Sequence, residues 1–111
     1  MTLDDLRCLA LSQPGAVEAD HHGIPVFRVG GKIFATIHLK EPRLMVKLDP
    51  EDQHNLAEAH PGVVTPVPGS WGRKGSTFVA YQAAETPLIE TLLAMAYAGA
   101  VAKLPKSKRP A

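Results

Sequence analysis

The chain has 111 residues, of which 45% are hydrophobic and 21% charged, with a formal net charge of +1, the composition of one ordinary globular domain. So small a net charge gives no bulk attraction to a polyanion, and the longest mainly apolar run, Leu92 to Ala102, is too short to span a bilayer. Cys8 is the sole cysteine; an unpaired thiol suits a reducing compartment and no secretory pattern opens the chain, so a cytoplasmic location is expected.

Thr2, with Asp5 three residues on, predicts the cap of a first helix that runs to about Ser12 and stops at Gln13, Pro14 and Gly15, with Leu3, Leu6 and Ala10 on its buried side. Turn residues then dominate until Pro25. The runs "VFRV" and "KIFATIHL" alternate on either side of Gly30 and Gly31, a hairpin signature because paired glycines accept the positive φ values of the turns that join twisted strands. Arg43 to Leu48, "RLMVKL", follows as a third strand of the meander. Asp49 can cap a second helix with Pro50 at its first position, where no amide hydrogen is needed, and that helix should end near His60. Gly62 to Gly75 reads as a long loop with one short strand.

Ser76 to Gln82, "STFVAYQ", alternates and predicts another strand. Thr86 and Pro87 repeat the cap-then-proline start, and Leu88, Ile89, Leu92, Leu93, Met95 and Ala96 make a broad apolar stripe for a final buried helix. Residues 1–104 thus form one α+β domain, an antiparallel meander sheet covered by helices on one face. The segment from Pro105, "PKSKRPA", reads as a basic flexible tail.

Charge is partitioned rather than absent. Between Phe27 and Leu48 the charged residues are Arg28, Lys32, Lys40, Arg43 and Lys47 against the single acid Glu41. Alternation of strand side chains places Ile33, Ala35, Ile37 and Leu39 on one face, with Leu44, Val46 and Leu48. Lys32, Phe34, Thr36, His38 and Lys40 fall on the other, beside Arg43, Met45 and Lys47. The expectation is one face packed on helices and a second, cationic face interleaved with Phe34 and Met45, suited to phosphates and stacked bases. A merely solvated face, ordinary in antiparallel sheets, explains the same pattern. The expected core includes Leu6, Phe27, Ile33, Ile37, Val46, Phe78, Leu92 and Leu93.

Trp71 is either a packing residue closing the loop or a stacking platform. Arg73 and Lys74, between Gly72 and Gly75, form a mobile cationic turn that suits either solubility or a wing on phosphates. His21 and His22 are adjacent, and neighbours in a strand point to opposite faces, so no shared metal ion and no cofactor is expected there. Neither a nucleophile motif nor a phosphate-cradling glycine loop appears, so no enzymatic activity is expected.

The blocks "QPGAVEADHHGIPVFRVGGKIFATI", "LMVKLDPEDQHNLAEAHPGVVTPV", "SWGRKGSTFVAYQ" and "LLAMAYAGAVAKLPK", in that order, resemble the MmcQ/YjbR-like proteins over nearly the whole chain. The resemblance rests on positions that include Pro14, Gly15, Glu18, Gly23, Pro25, Phe27, Lys32, Phe34, Lys47, Pro61, Trp71, Tyr97 and Lys103. It implies a CyaY/frataxin-like α+β fold and DNA binding by a "double wing". Two positions depart from the pattern: His22 stands where an aromatic residue commonly precedes the G-x-P-x-F block, and the segment after Trp71 carries extra glycine and basic residues.

Taken together, the residues and the resemblance put the candidate nucleic-acid contacts at Arg28, Lys32, Lys47, Trp71, Arg73, Lys74 and Lys103. The expected partner is DNA, bound weakly and without sequence preference, by a monomer or weak homodimer with no membrane association. The alternatives are a metal-handling protein of frataxin type, against which the first helix offers only Asp4 and Asp5 as an acidic ridge, and a protein-interaction adaptor.

Overall fold

A reciprocal pair of hydrogen bonds starts the fold. The Thr2 hydroxyl accepts from the Asp5 amide at 3.1 Å while the Asp5 carboxylate accepts from the Thr2 amide at 3.3 Å, satisfying two donors that a helix start otherwise leaves open. The helix so capped, α1, spans Leu3–Leu11 and buries Leu6 and Ala10. The structure, a computed structural model, describes residues 1–110.

Six strands follow, β1 (Val17–His21), β2 (Ile24–Val29), β3 (Lys32–His38), β4 (Arg43–Lys47), β5 (Val64–Pro66) and β6 (Ser76–Val79). They form one sheet in the order β1-β2-β3-β4-β6-β5, with every pair antiparallel. The predicted hairpin at Gly30 and Gly31 is present with both glycines at positive φ, 57° and 83°. Strand β1 occupies the stretch that reads as turns in the sequence. It is an edge strand exposed at four of its five positions, so no apolar alternation marks it, and its own turn uses His22 at φ 54° and Gly23 at φ 82°.

Asp49 caps the second helix, α2 (Pro50–Ala59), by accepting from the Glu51 amide at 3.0 Å. The expected long loop contains β5 and, unexpectedly, a single helical turn, α3 (Ser70–Arg73). Strand β6 stops at Val79 rather than Gln82, because residues Tyr81–Ala83 tighten into a 3-10 turn that buries the Tyr81 ring. The last helix, α4 (Thr86–Ala102), is capped from Glu85 without a side-chain bond, so Thr86 and Pro87 are its first two residues rather than a cap and a first turn.

Helix α4 lies along β3 and β4. It buries Ile89, Leu92, Leu93, Ala96 and Ala100 against a core that includes Phe27, Ile37, Leu44 and Val46. Helix α2 is tied to the same side by Gln53, whose Nε2 lies 3.0 to 3.1 Å from the Gly72 carbonyl, the Ser76 carbonyl and the Thr77 hydroxyl. Helices thus cover one face of the sheet and leave the other open. The segment read as a flexible basic tail is placed against the body as a 3-10 turn, Lys106–Lys108. Arg109 folds back to donate to the carbonyls of Leu104 at 3.1 Å and Ala102 at 3.3 Å.

Candidate phosphate-binding site

The face assignments of β3 hinge on one irregularity. Phe27 pairs with Ala35, but the next residue, Arg28, pairs with Ile33, so Phe34 is an extra residue in the ladder. A bulge of this kind reverses the alternation on its far side. Phe34 therefore turns to the helix side, 3% exposed, and meets Tyr97 of α4 edge to face at 5.6 Å. Ile33, expected in the core, is 43% exposed. Lys32, expected on the open face, pairs with the buried Val29 and lies on the helix side.

Displacing Lys32 across the sheet builds a site. Lys32 at the start of β3, Lys47 at the end of β4, Lys74 directly after α3 and Lys103 directly after α4 all line one cavity of about 790 Å³. Its apolar wall includes Phe34, Leu48, Met95, Ala96 and Gly99. Asp49 and Asp52, at the start of α2, line it as well. Four ammonium groups with two carboxylates leave a net charge of +2. The Lys103 ammonium, foremost, together with Lys32 and Lys74, holds the Lys47 amine below its usual basicity, as like charges brought together must. With nothing bound, the cluster is self-repelling, and an anion between the ammonium groups relieves it.

The remaining candidates lie outside this cavity. Arg28 pairs across with Val17 and Ile33 on the open face. Arg73 and Trp71 belong to the α3 turn, with Trp71 70% exposed. That exposure rules out the reading of Trp71 as a packing residue. The Gly72 to Gly75 segment is anchored rather than wing-like, since both glycines are buried. A Cβ on Gly72 would meet the Val67 carbonyl at 1.8 Å, and one on Gly75 the Leu48 carbonyl at 1.9 Å.

On the open face, the Arg43 guanidinium lies 3.6 Å over the Phe78 ring, with His38 edge-on to the same ring at 5.8 Å. Phe78 is thus only partly buried and belongs to this face rather than to the core. Sequence reasoning missed Gly99, Met95 and Asp52 as parts of the cavity. Gly99 carried a signal: a lone glycine inside a helical pattern is unfavourable for the helix by about 1 kcal/mol relative to alanine, and a Cβ there would meet nothing within 4 Å. Among the described residues, no three His, Cys, Asp or Glu side chains are grouped to hold a metal ion. No helix is long and apolar enough to cross a membrane.

Comparison with known proteins agrees with the fold. The family model described as YjbR matches residues 11–98. The crystal structure of the Deinococcus radiodurans protein DR2400, with family-model domain DUF419, superposes with a TM-score of 0.83 at 27% identity, covering 96% of this chain and 84% of that one. No curated protein matches the chain.

Proposed function

The chain belongs to the YjbR family, and from that premise and the lysine cluster we propose that it binds DNA through phosphates, weakly and without sequence preference, as a binding module rather than an enzyme. The observation that carries this reading is the convergence of Lys32, Lys47, Lys74 and Lys103 on one cavity. Four lysines brought together from strands β3 and β4 and from the ends of α3 and α4 repel one another, and an anion offsets the part of that repulsion that Asp49 and Asp52 leave.

The contact surface differs from a basic sheet face. Its centre is the cavity between β3, β4 and the end of α4, on the helix-covered side. Trp71 supports the reading from nearby in the chain, because an exposed indole three residues before Lys74 offers a sequence-tolerant surface for a base. Arg28, on the opposite face, has no part in it.

Fluorescence anisotropy of random duplex and single-stranded 20-mers over a salt series tests the proposal. With four lysines engaged, log affinity should fall against log salt with a slope of about −3 to −4. No measurable binding to either form at low salt would overturn the reading.

A further inference from the structure

The cavity is concave, which restricts what enters it. A duplex backbone is a convex ridge and meets cations that project, whereas a recessed site admits a group at a strand end or a free small molecule. We infer that the cavity takes a terminal phosphate joined to a flat apolar body of nucleotide size, the chemistry shared by a phosphorylated strand end and a free nucleotide. This rests on the phosphate-binding reading above and narrows it from backbone to terminus.

Two features select that ligand. The first is charge: a backbone phosphodiester carries one negative charge, whereas a terminal phosphate carries about −1.5 to −2 at neutral pH. The net +2 of four lysines and two aspartates matches the latter. The second is volume and lining. About 790 Å³ lies within the size range of small-molecule pockets, and a bare phosphate would leave most of it empty beside the apolar wall of Phe34, Met95 and Ala96. Gly99 keeps that wall low, since its missing side chain leaves open space where any other residue would project. The ammonium groups and the apolar wall, lining one cavity, hold the two ends of one amphiphilic ligand.

The test compares a 12-mer of thymidine carrying a 5′-phosphate, a 3′-phosphate or only hydroxyl ends, with adenosine 5′-monophosphate, adenosine and inorganic phosphate as competitors. At least one phosphorylated 12-mer should bind about 10-fold more tightly than its hydroxyl twin. Adenosine 5′-monophosphate should compete where adenosine and inorganic phosphate do not. Gly99→Leu, which narrows the cavity and leaves all four lysines in place, should abolish the difference between the phosphorylated and hydroxyl 12-mers. Ala98→Leu, at another exposed cavity position on α4, repeats the test should Gly99→Leu melt early.

Equal binding of all three 12-mers would overturn the terminal-phosphate inference and leave the backbone reading standing. Competition by inorganic phosphate as strong as by the nucleotide would overturn the apolar half of it. Binding of the nucleotide with no binding of any 12-mer would support the cavity assignment and overturn DNA as the partner, while silence from every probe would overturn both.

Discussion

The Phe34 ring stands edge-on to the Tyr97 ring, 5.6 Å between centroids and 89° between planes, and Tyr97 in turn donates its hydroxyl proton to the Pro14 carbonyl at 2.5 Å. One bulged residue of β3 is thereby joined through α4 to the loop after α1. Truncation of Phe34 to Ala should destabilise the fold by about 3 to 5 kcal/mol, as for other buried aromatics. Ile33→Ala, one residue away but turned to solvent, should shift stability by no more than about 0.5 kcal/mol. Chemical denaturation of the two variants decides between the bulged register and unbroken alternation, which predicts the opposite ranking.

Three glycines should respond to alanine in two ways. Gly75→Ala combines φ +110° with a Cβ 1.9 Å from the Leu48 carbonyl, and Gly72→Ala drives a Cβ to 1.8 Å from the Val67 carbonyl. Either change must move backbone and should lower stability by more than about 1 kcal/mol. Gly99→Ala meets nothing and sits within α4, so it should raise stability by about 0.5 to 1 kcal/mol. Melting curves of the three variants check the signs.

Gln53 joins α2 to three acceptors contributed by Gly72, Ser76 and Thr77. The Gly72 and Ser76 carbonyls also accept from the Gly75 and Val67 amides, and the Thr77 hydroxyl donates to the Gly75 carbonyl. Gln53→Ala thus removes a second donor rather than the only one and should lower stability by about 1 kcal/mol. Hydrogen exchange should then rise most in the Gly72 to Thr77 segment, since that is where the lost bonds end.

Lys47 gives a pH dependence whose sign follows from its depressed basicity. Between its folded and unfolded values the unfolded chain holds more protons, so the stability it contributes rises as pH increases through the lowered folded value. At neutral pH its charge therefore works against the fold. Lys47→Gln should stabilise the protein slightly at pH 7, with the gain shrinking as salt screens Lys103, Lys32 and Lys74. A loss of stability that deepens at low salt would contradict the clustered arrangement.

Much of the fold was legible because it rests on local chemistry. Thr2 with Asp5, Asp49 with Pro50, and the Gly30–Gly31 pair each mark an element boundary through their own side chains or backbone freedom, and each boundary is where they place it. Strand β1 was not legible, since an edge strand exposed on both faces carries no apolar period. Nor was the helical turn at Trp71, where Gly72 is required by the close approach of the Val67 carbonyl rather than by a positive φ. The site was legible by residue type but not by face. Lys32 and Lys47 are legible as candidates, yet strict alternation puts Lys32 on the wrong face, because the extra residue at Phe34 is fixed by packing on Tyr97 and leaves no mark in the spacing. Lys47 reaches the cavity from the end of the unbulged β4. Lys74 and Lys103 join them only through the way α3 and α4 end.

The proposed DNA binding lies at the lysine cavity and not on the open sheet face, and paired charge removals test it most directly. The measurement is the salt slope of binding to a single-stranded 20-mer for wild type, Lys32→Gln with Lys103→Gln, and, on the open face, Arg28→Gln with Arg43→Gln. Removing the two cavity lysines should flatten the slope by about 1.4 and weaken binding at every salt concentration, while the two arginine changes leave the slope as in wild type. A slope that flattens with the arginine pair and holds with the lysine pair would contradict the account.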